Sequence, residues 1–110
     1  MRGKERLLAY LEGACTGREA MVKSADLERA LHMSRNAVQE QVGRLRREAV
    51  PVCSGPGGYY YAASAGDIYR TIRFLRRQTE HIQGSIRGLE AALETFRGNV
   101  DGQGGGGDHR

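Results

Sequence analysis

The very short connection between two amphipathic segments constrains this chain most. The segment ADLERALH, residues 25–32, places Leu27, Ala30 and Leu31 on one helical side, with Ser24 before it as N-cap. A second helix is predicted over 34–48, with Ser34 as its N-cap. Only His32, Met33 and that cap connect the two predicted helices. Helices joined so closely cannot lie antiparallel, so the chain must turn sharply here.

The second helix has two unlike faces. Its apolar residues recur at helical spacing and predict a buried stripe of Ala37, Val38, Val42 and Leu45. The opposite face is polar, with Arg35 and Arg46 at its flanks; it consists of Asn36, Gln39, Glu40, Gly43 and Arg47. Amide and guanidinium groups make paired hydrogen bonds to base edges in a major groove. From these residues alone, the face is either a solvated surface or a nucleic-acid interface.

The segments on either side complete a small domain. Leu7, Leu8, Tyr10 and Leu11 predict a first helix over about 4–13, with Gly13 as its stop, followed by a connection over 14–23. After Glu48, the residues AVPVCSGPGGYYYAA exclude a helix and predict a two-stranded hairpin. Its strands are predicted over 52–54 and 59–62, around a tip at 55–58. Alternation sends Tyr60 and Ala62 to one face and Tyr59 and Tyr61 to the other.

These features together resemble the winged helix-turn-helix module at the N-terminus of biotin-operon repressors and its stand-alone relatives. The resemblance covers about 60 residues with helix one included, and its matching positions are Leu27, Leu31, Met33-Ser34-Arg35, Ala37-Val38, Val42, Leu45-Arg46, Val50, Val52 and a Pro-Gly wing tip ending in Tyr60. It implies an α+β, mostly α fold over residues 1–63, with three helices and a two-stranded wing. It also implies binding of double-stranded DNA, with the helix from Ser34 in the major groove.

The chain departs from that family at three places. His32, in the turn, and Ala49, just after the recognition helix, stand where the family usually has glycine. Their backbones are therefore expected to be left-handed, which His tolerates somewhat better than most residues. The wing tip has no Lys or Arg, so wing contacts to phosphate would use backbone amides or a tyrosine hydroxyl. No ligase domain follows, so the enzymatic half of such repressors is not implied.

The expected DNA contacts follow from side-chain chemistry. Base edges would be read by Arg35, Asn36, Gln39 and Glu40. The phosphate positions would be held by Ser34, Arg44, Arg46 and Arg47, with Tyr59 at the wing. The chain's formal charge of +4 and pI near 9.4 are compatible with a polyanionic partner.

A long helix is predicted over 67–97, because no proline interrupts it and Asp67 suits the positive end of a helix. Its apolar residues alternate steps of four and three, which is a heptad pattern with Thr79 as the one polar position. They are Ile68, Ile72, Leu75, Ile82, Ile86, Leu89, Leu93 and Phe96. This seam predicts a coiled-coil segment over 64–97 and a homodimer, although packing back onto the first domain stays open. The sparse charges beside the seam leave parallel and antiparallel pairing open; a parallel pair would hold two recognition helices side by side.

The remaining expectations concern the helix surface, the tail and the excluded classes. Arg70, Arg73, Arg76 and Arg77 form either a solvated face or a second phosphate-binding strip, and the Gly-rich tail 98–110 is expected to be disordered. Two distant cysteines indicate a reducing cytoplasm, and scattered histidines predict no metal site. No membrane span, cofactor or catalytic constellation is expected.

The leading interpretation of the whole sequence is a dimeric transcriptional regulator. The alternatives are a protein-interaction adaptor and a replication or partition accessory protein.

Overall fold

The computed structural model describes residues 2–103, and it describes side-chain surroundings for residues 2–98. Along them lie helix α1 (Gly3–Ala14), a 3-10 turn (Arg18–Ala20), helices α2 (Ser24–Leu31) and α3 (Arg35–Arg47), strands β1 (Val52–Gly55) and β2 (Gly58–Tyr61), and helix α4 (Ala65–Gln103). The chain is mostly helical, with one two-stranded antiparallel sheet and a long C-terminal helix. This confirms the coarse fold class. The chain divides into two compact units, Met1–Phe74 and Leu75–Arg110.

The core of the first unit consists largely of the apolar stripes that the sequence indicates, although Ala30, predicted to lie on one of them, is exposed. Each of the first three helices contributes side chains that are at most 5% exposed, and Cys15 and Val52 complete the cluster. The helical members are Leu7, Leu11, Leu27, Leu31, Val38, Val42 and Leu45. Because burying one such aliphatic side chain contributes about 1.5–3 kcal/mol, this cluster fixes how the three helices pack.

The connection between α2 and α3 turns as predicted. His32 has φ 53° and ψ 48°, a left-handed conformation that ends α2, and Met33 packs against the core. The Ser34 Oγ accepts a hydrogen bond of 3.1 Å from the Ala37 backbone N–H, so the predicted N-cap of α3 is confirmed. The predicted cap at Ser24 is wrong. Ser24 is the first residue of α2, and its Oγ donates to Glu28 Oε2 over 2.9 Å.

The end of α3 has the second left-handed residue. Ala49 has φ 66°, and its N–H donates to the Arg46 carbonyl over 3.0 Å. The next N–H, of Val50, reaches back to the Leu45 carbonyl at the same distance. This pair of bonds is a Schellman motif, in which the left-handed position usually has glycine. Within residues 2–103, His32 and Ala49 are the non-glycine residues with positive φ. Both expected departures from glycine are therefore real backbone constraints.

The hairpin forms with small differences from its predicted bounds: β1 ends one residue later, and β2 begins and ends one residue earlier. Strand β2 runs Gly58–Tyr61 and pairs with β1 in a register that places Cys53 opposite Tyr60. Gly58 can only be glycine, because its φ is 138° and an added Cβ would lie 2.0 Å from the Val22 carbonyl oxygen. The close approach arises because Val22 pairs with β2 through an isolated antiparallel bridge to Tyr59.

The predicted connection over 14–23 has more order than its sequence indicates. Helix α1 does not stop at Gly13; it includes Ala14 and is capped by Cys15, whose N–H donates to the Leu11 carbonyl. Beyond it, Thr16 bridges to Tyr61 in parallel, alongside the Val22 bridge. The segment thus adds a third, interrupted edge to the sheet. Short polar runs with one glycine carry no strand pattern, which explains why the sequence does not reveal this pairing.

Helix α4 begins inside the first unit. The Ala63 N–H donates to Asp67 Oδ2 over 2.9 Å, so the helix start is fixed by a buried carboxylate. One turn later, Thr71 Oγ1 accepts from the Ser54 N–H of β1 over 3.2 Å. These contacts place the first turns of α4 against the hairpin, and the first unit accordingly extends past the predicted border at residue 63. The helix also continues past the predicted end near Arg97.

The Gly-rich tail is described in part. Helix α4 includes Gly98 and ends at Gln103, and residues 104–110 lie outside the described residues. The predicted disorder of the tail therefore stays a prediction. The second unit, as far as it is described, is a single helix whose large apolar side chains are exposed.

Candidate nucleic-acid interface

The polar face of α3 is the candidate site. Arg35, Asn36, Gln39 and Glu40 are all exposed, and Arg47 continues the same face two turns further along. Behind them, the stripe through Val38, Val42 and Leu45 is at most 2% exposed. The buried stripe anchors the helix, and the Ser34 cap fixes its first turn. The structure therefore presents the predicted base-reading residues on one accessible surface of a firmly packed helix.

The arginines of this face differ in whether their guanidinium groups already have partners within the protein. The side chains of Arg35, Arg44 and Arg47 are exposed and form no hydrogen bond or ion pair with the described residues. A guanidinium without an internal partner can bind a phosphate or a base without first breaking a contact. Glu40 is likewise exposed beside them, so the surface is mixed in charge and basic on balance.

Arg46 has a different environment. Its Nε donates to the Val52 carbonyl over 2.8 Å, and its Nη2 donates to Ser54 Oγ over 2.9 Å. Burial lowers the pKa of this guanidinium. Since its side chain is directed onto β1, Arg46 joins α3 to the hairpin. The sequence places it on the flank of the polar face and gives no sign of this use.

Tyr59 also lies away from the polar face. Its side chain is partly buried against the core, and its backbone exchanges two hydrogen bonds with Val22, of 2.8 and 2.9 Å. Tyr61 packs on the same side, whereas Tyr60 is 2% exposed opposite Cys53. The predicted alternation of the tyrosines is confirmed. The hairpin tip carries Pro56 and glycines, and hence presents backbone groups at its surface.

A cleft beside α3 was not predicted. It has a volume of about 370 Å³ and lies between the start of α1 and α3, lined by Arg2, Gly3, Lys4, Glu5, Gln41 and Arg44. The Gln41 Oε1 is buried there and has no hydrogen-bond partner among the described residues. The Lys4 Nζ, however, pairs with Glu48 Oε2 over 2.7 Å. The cleft forms because α1 and α3 pack together, a tertiary contact that sequence periodicity does not specify.

The residues of α4 that are predicted to form the homodimer differ in how exposed they are along the helix. Ile68 and Ile72, near the hairpin, are 39% and 40% exposed, and Leu75 is partly buried. From Ile82 onward the exposed fractions lie between 49% and 72%; the residues concerned are Ile82, Ile86, Leu89, Leu93 and Phe96. The seam that the heptad pattern predicts therefore remains accessible along the second unit.

The cysteines and the potential metal-binding residues do not form a further site among the described residues. Cys15 and Cys53 are free and buried, and burial raises the pKa of both thiols. In the portion of the chain that the structure describes, no three His, Cys, Asp or Glu residues come together as metal ligands. Within that same portion, none of the helices combines the length and apolar character needed to cross a membrane. Comparisons with protein-family models, curated proteins and solved structures found no match.

Proposed function

We propose that this chain is a sequence-specific double-stranded-DNA-binding protein of the winged helix-turn-helix class, acting as a dimeric transcriptional regulator. The observation that carries the proposal is the polar face of α3: exposed amide and guanidinium side chains on a helix anchored from behind by a dry stripe. The two left-handed residues, His32 and Ala49, bracket that helix at the positions where the resembling family has glycine.

The side chains divide into two roles. Arg35, Asn36 and Gln39 are proposed to contact base edges, since each can form two hydrogen bonds to one purine or adjacent bases. Glu40 would accept from a cytosine amino group. Arg44 and Arg47 are proposed to contact phosphates, and Ser34 contributes by capping the helix. We omit Arg46 and Tyr59 from the contact set because their side chains are directed onto the protein itself.

Two copies joined through α4 would bring two such helices to a two-part site. Dimers of helix-turn-helix proteins read half-sites whose spacing reflects the symmetry of the protein. The exposed heptad seam of the second unit supports this part of the proposal, because contiguous exposed apolar surface is typical of an association site.

A protein-interaction adaptor is the second candidate. The observation that favours it is the hairpin: its tip lacks Lys and Arg, and Tyr59 is turned toward the core. A wing of this kind contributes little to phosphate binding, and the α3 face would then dock a protein. A replication or partition role would use the same DNA contacts and differ in the site recognised.

Duplex binding measured against salt separates these functions. For DNA binding, log K should fall linearly with log salt, with a slope of about −0.9 per phosphate contacted. Selection of preferred duplexes from a random pool then gives a site. Replacing both Arg35 and Gln39 by alanine should remove the preference for that site, at about 1–3 kcal/mol per lost bidentate contact. Arg47→Ala should instead weaken all duplexes and reduce the slope by about one.

Arg18→Ala is the matched control, because Arg18 is an exposed arginine in the 3-10 turn, outside α3. It should leave site preference unchanged. An absence of duplex binding at low salt, by a chain that is still folded, would reject DNA binding and favour the adaptor.

A further inference from the structure

The second unit has an apolar seam with a definite charge pattern beside it. In the heptad with Ile72 as position a, the seam positions a and d are flanked by positions e and g. The e residues are Arg76, Gln83, Glu90 and Arg97, and the g residues are Gln78, Ser85 and Ala92. All charged flanking residues therefore lie on the e side, with opposite signs at Arg76 and Glu90.

Those two charges are available for another chain. Arg97 pairs with Glu94 of its own helix over 3.2 Å. Arg76 and Glu90, in contrast, are exposed and form no ion pair with the described residues. They are two heptads apart along the helix, too far to pair with each other within one copy.

We infer that two copies of α4 pair antiparallel, in a register that sets Gln83 of one copy opposite Gln83 of the other. The inference rests on the dimer in the proposed function. In antiparallel pairs, e residues face e residues, so Arg76 of each copy meets Glu90 of the other. In parallel pairs, g faces the e of the following heptad, so Arg76 would meet Thr71 and Glu90 would meet Ser85. The parallel arrangement uses neither charge.

The seam is compatible with this register. It stacks Leu75 on Leu93 and Ile82 on Ile86 of the other copy, each twice by symmetry. Thr79 then faces Leu89. Its hydroxyl donates to the Leu75 carbonyl over 3.0 Å, so the polar group is already satisfied within its own helix when the seam is covered. The exposed apolar side chains of the second unit are thereby covered by like side chains.

Displacement by one heptad in either direction loses the charge match. In one direction Arg76 meets Arg97 of the other copy, which is repulsive. In the opposite direction Arg76 meets Gln83, and Glu90 meets Tyr69. Only the register centred on Gln83 pairs both charges with opposite ones, because the two residues lie symmetrically about that position.

The register sets the distance between the two points at which the helices leave the first units. It places Phe74 of one copy level with Glu94 of the other, so the two Phe74 residues lie about 30 Å apart along the helix axis at about 1.5 Å per residue. A parallel pair would bring the two Phe74 residues to about 10 Å, the usual distance between packed helices.

Disulfide cross-linking distinguishes the two directions. Thr79→Cys and Leu89→Cys are made separately in the full chain, one with a size tag, and oxidised alone and as a mixture. Antiparallel pairing should give a cross-link only in the mixture, because residue 79 faces residue 89. Parallel pairing would cross-link each variant with itself. The wild-type chain is the control for the buried Cys15 and Cys53.

A charge exchange tests the register. Arg76→Glu alone and Glu90→Arg alone should each raise the dimer dissociation constant about threefold to thirtyfold, since two attractive pairs become repulsive. The double variant should return it to within about threefold of wild type. If the single variants have no effect, or the double variant shows no rescue, the register is wrong.

Duplex binding, measured in parallel with these assays, separates the two proposals. The antiparallel register is overturned if either cysteine variant cross-links with itself. It is also overturned if a dimer forms but no cross-link appears with the variants alone or mixed. DNA binding can still hold in both cases. A monomer by sedimentation overturns both the register and the dimer. Loss of duplex binding with the cross-link intact overturns the DNA-binding proposal and leaves the register standing.

Discussion

The two units use the same kind of side chain in opposite ways. Leu45 in α3 is 1% exposed, whereas Leu89 in α4 is 72% exposed, and both lie on apolar stripes with helical spacing. In the first unit, three helices and a hairpin cover each other's stripes. In the second unit, the residues that the structure describes form a single helix, and none of them packs on its stripe. The difference shows that a stripe specifies a face to be covered and leaves open what covers it.

The test with the largest expected effect makes the same substitution, leucine to alanine, in each unit. Leu45→Ala should lower the free energy of unfolding by about 2–5 kcal/mol, because a cavity opens in a packed core. Leu89→Ala should leave the first unit's unfolding unchanged and weaken association. Tyrosine fluorescence in urea follows the first unit selectively, since all five tyrosines lie before residue 75. Sedimentation measures association.

Equal effects of the two substitutions on the tyrosine transition would contradict the comparison. They would mean that Leu89 is covered by the first unit in solution. In that case the alternative that the sequence left open, α4 packing back onto its own domain, would replace the dimer.

A second test exchanges alanine for glycine in each unit and should give opposite signs. Ala49 is exposed with φ 66°, so Ala49→Gly relieves a left-handed residue and should raise the free energy of unfolding by about 1 kcal/mol. Ala91 lies exposed inside α4, where glycine should instead cost about 1 kcal/mol of helix stability. Urea midpoints report the first change, and helical circular dichroism reports the second.

Site preference is the control for the Ala49 variant. The residue lies after α3 and outside the proposed contact set, so the preferred duplex should be unchanged. Destabilisation by Ala49→Gly would show that the left-handed end of α3 does not exist in solution.

The smallest expected effect concerns the start of α4, where the helix still belongs to the first unit. The hydrogen bond from the Ala63 N–H holds the pKa of Asp67 below its ordinary value, with help from the Arg70 guanidinium and the Ser64 N–H. The stabilisation is present above the unfolded pKa of about 3.9 and is lost as pH falls through the lower folded pKa. Asp67→Asn should therefore destabilise the unit at neutral pH and reduce its loss of stability in acid.

Urea midpoints at neutral pH and near pH 3 check this sign. Glu80→Gln removes one exposed carboxylate from the same helix and controls for the change in net charge. If Asp67→Asn has the same midpoint as wild type at neutral pH, the hydrogen bond to Ala63 does not stabilise the helix start.

Much of the helical part could be predicted because its signals are local. The stripe through Val38, Val42 and Leu45, the Ser34 cap, and the left-handed backbone of His32 and Ala49 all follow from short-range spacing and from the resemblance. The pairing of Thr16 and Val22 with β2 could not be predicted, since it joins segments far apart in sequence. The same holds for Thr71, whose partner Ser54 lies 17 residues earlier, in β1.

The polar face shows the same division. Its exposed residues, Arg35, Asn36 and Gln39, follow from helical periodicity once the buried stripe is known. Arg46 and Tyr59 do not, because a long side chain on the flank of a face can turn toward solvent or toward a neighbouring strand. Here β1 offers a carbonyl and a hydroxyl to Arg46 at hydrogen-bond distance.

The sequence by itself determined where the helices lie, which side of each is apolar, and that the chain turns sharply at residues 32–34. These depend on backbone sterics and on the 3.6-residue period, which act over a few residues. Only the tertiary structure decided that Arg46 faces β1, that Gly58 must be glycine, and that α4 starts on the hairpin. Those outcomes depend on which distant groups come within hydrogen-bond or van der Waals distance, and packing alone sets that.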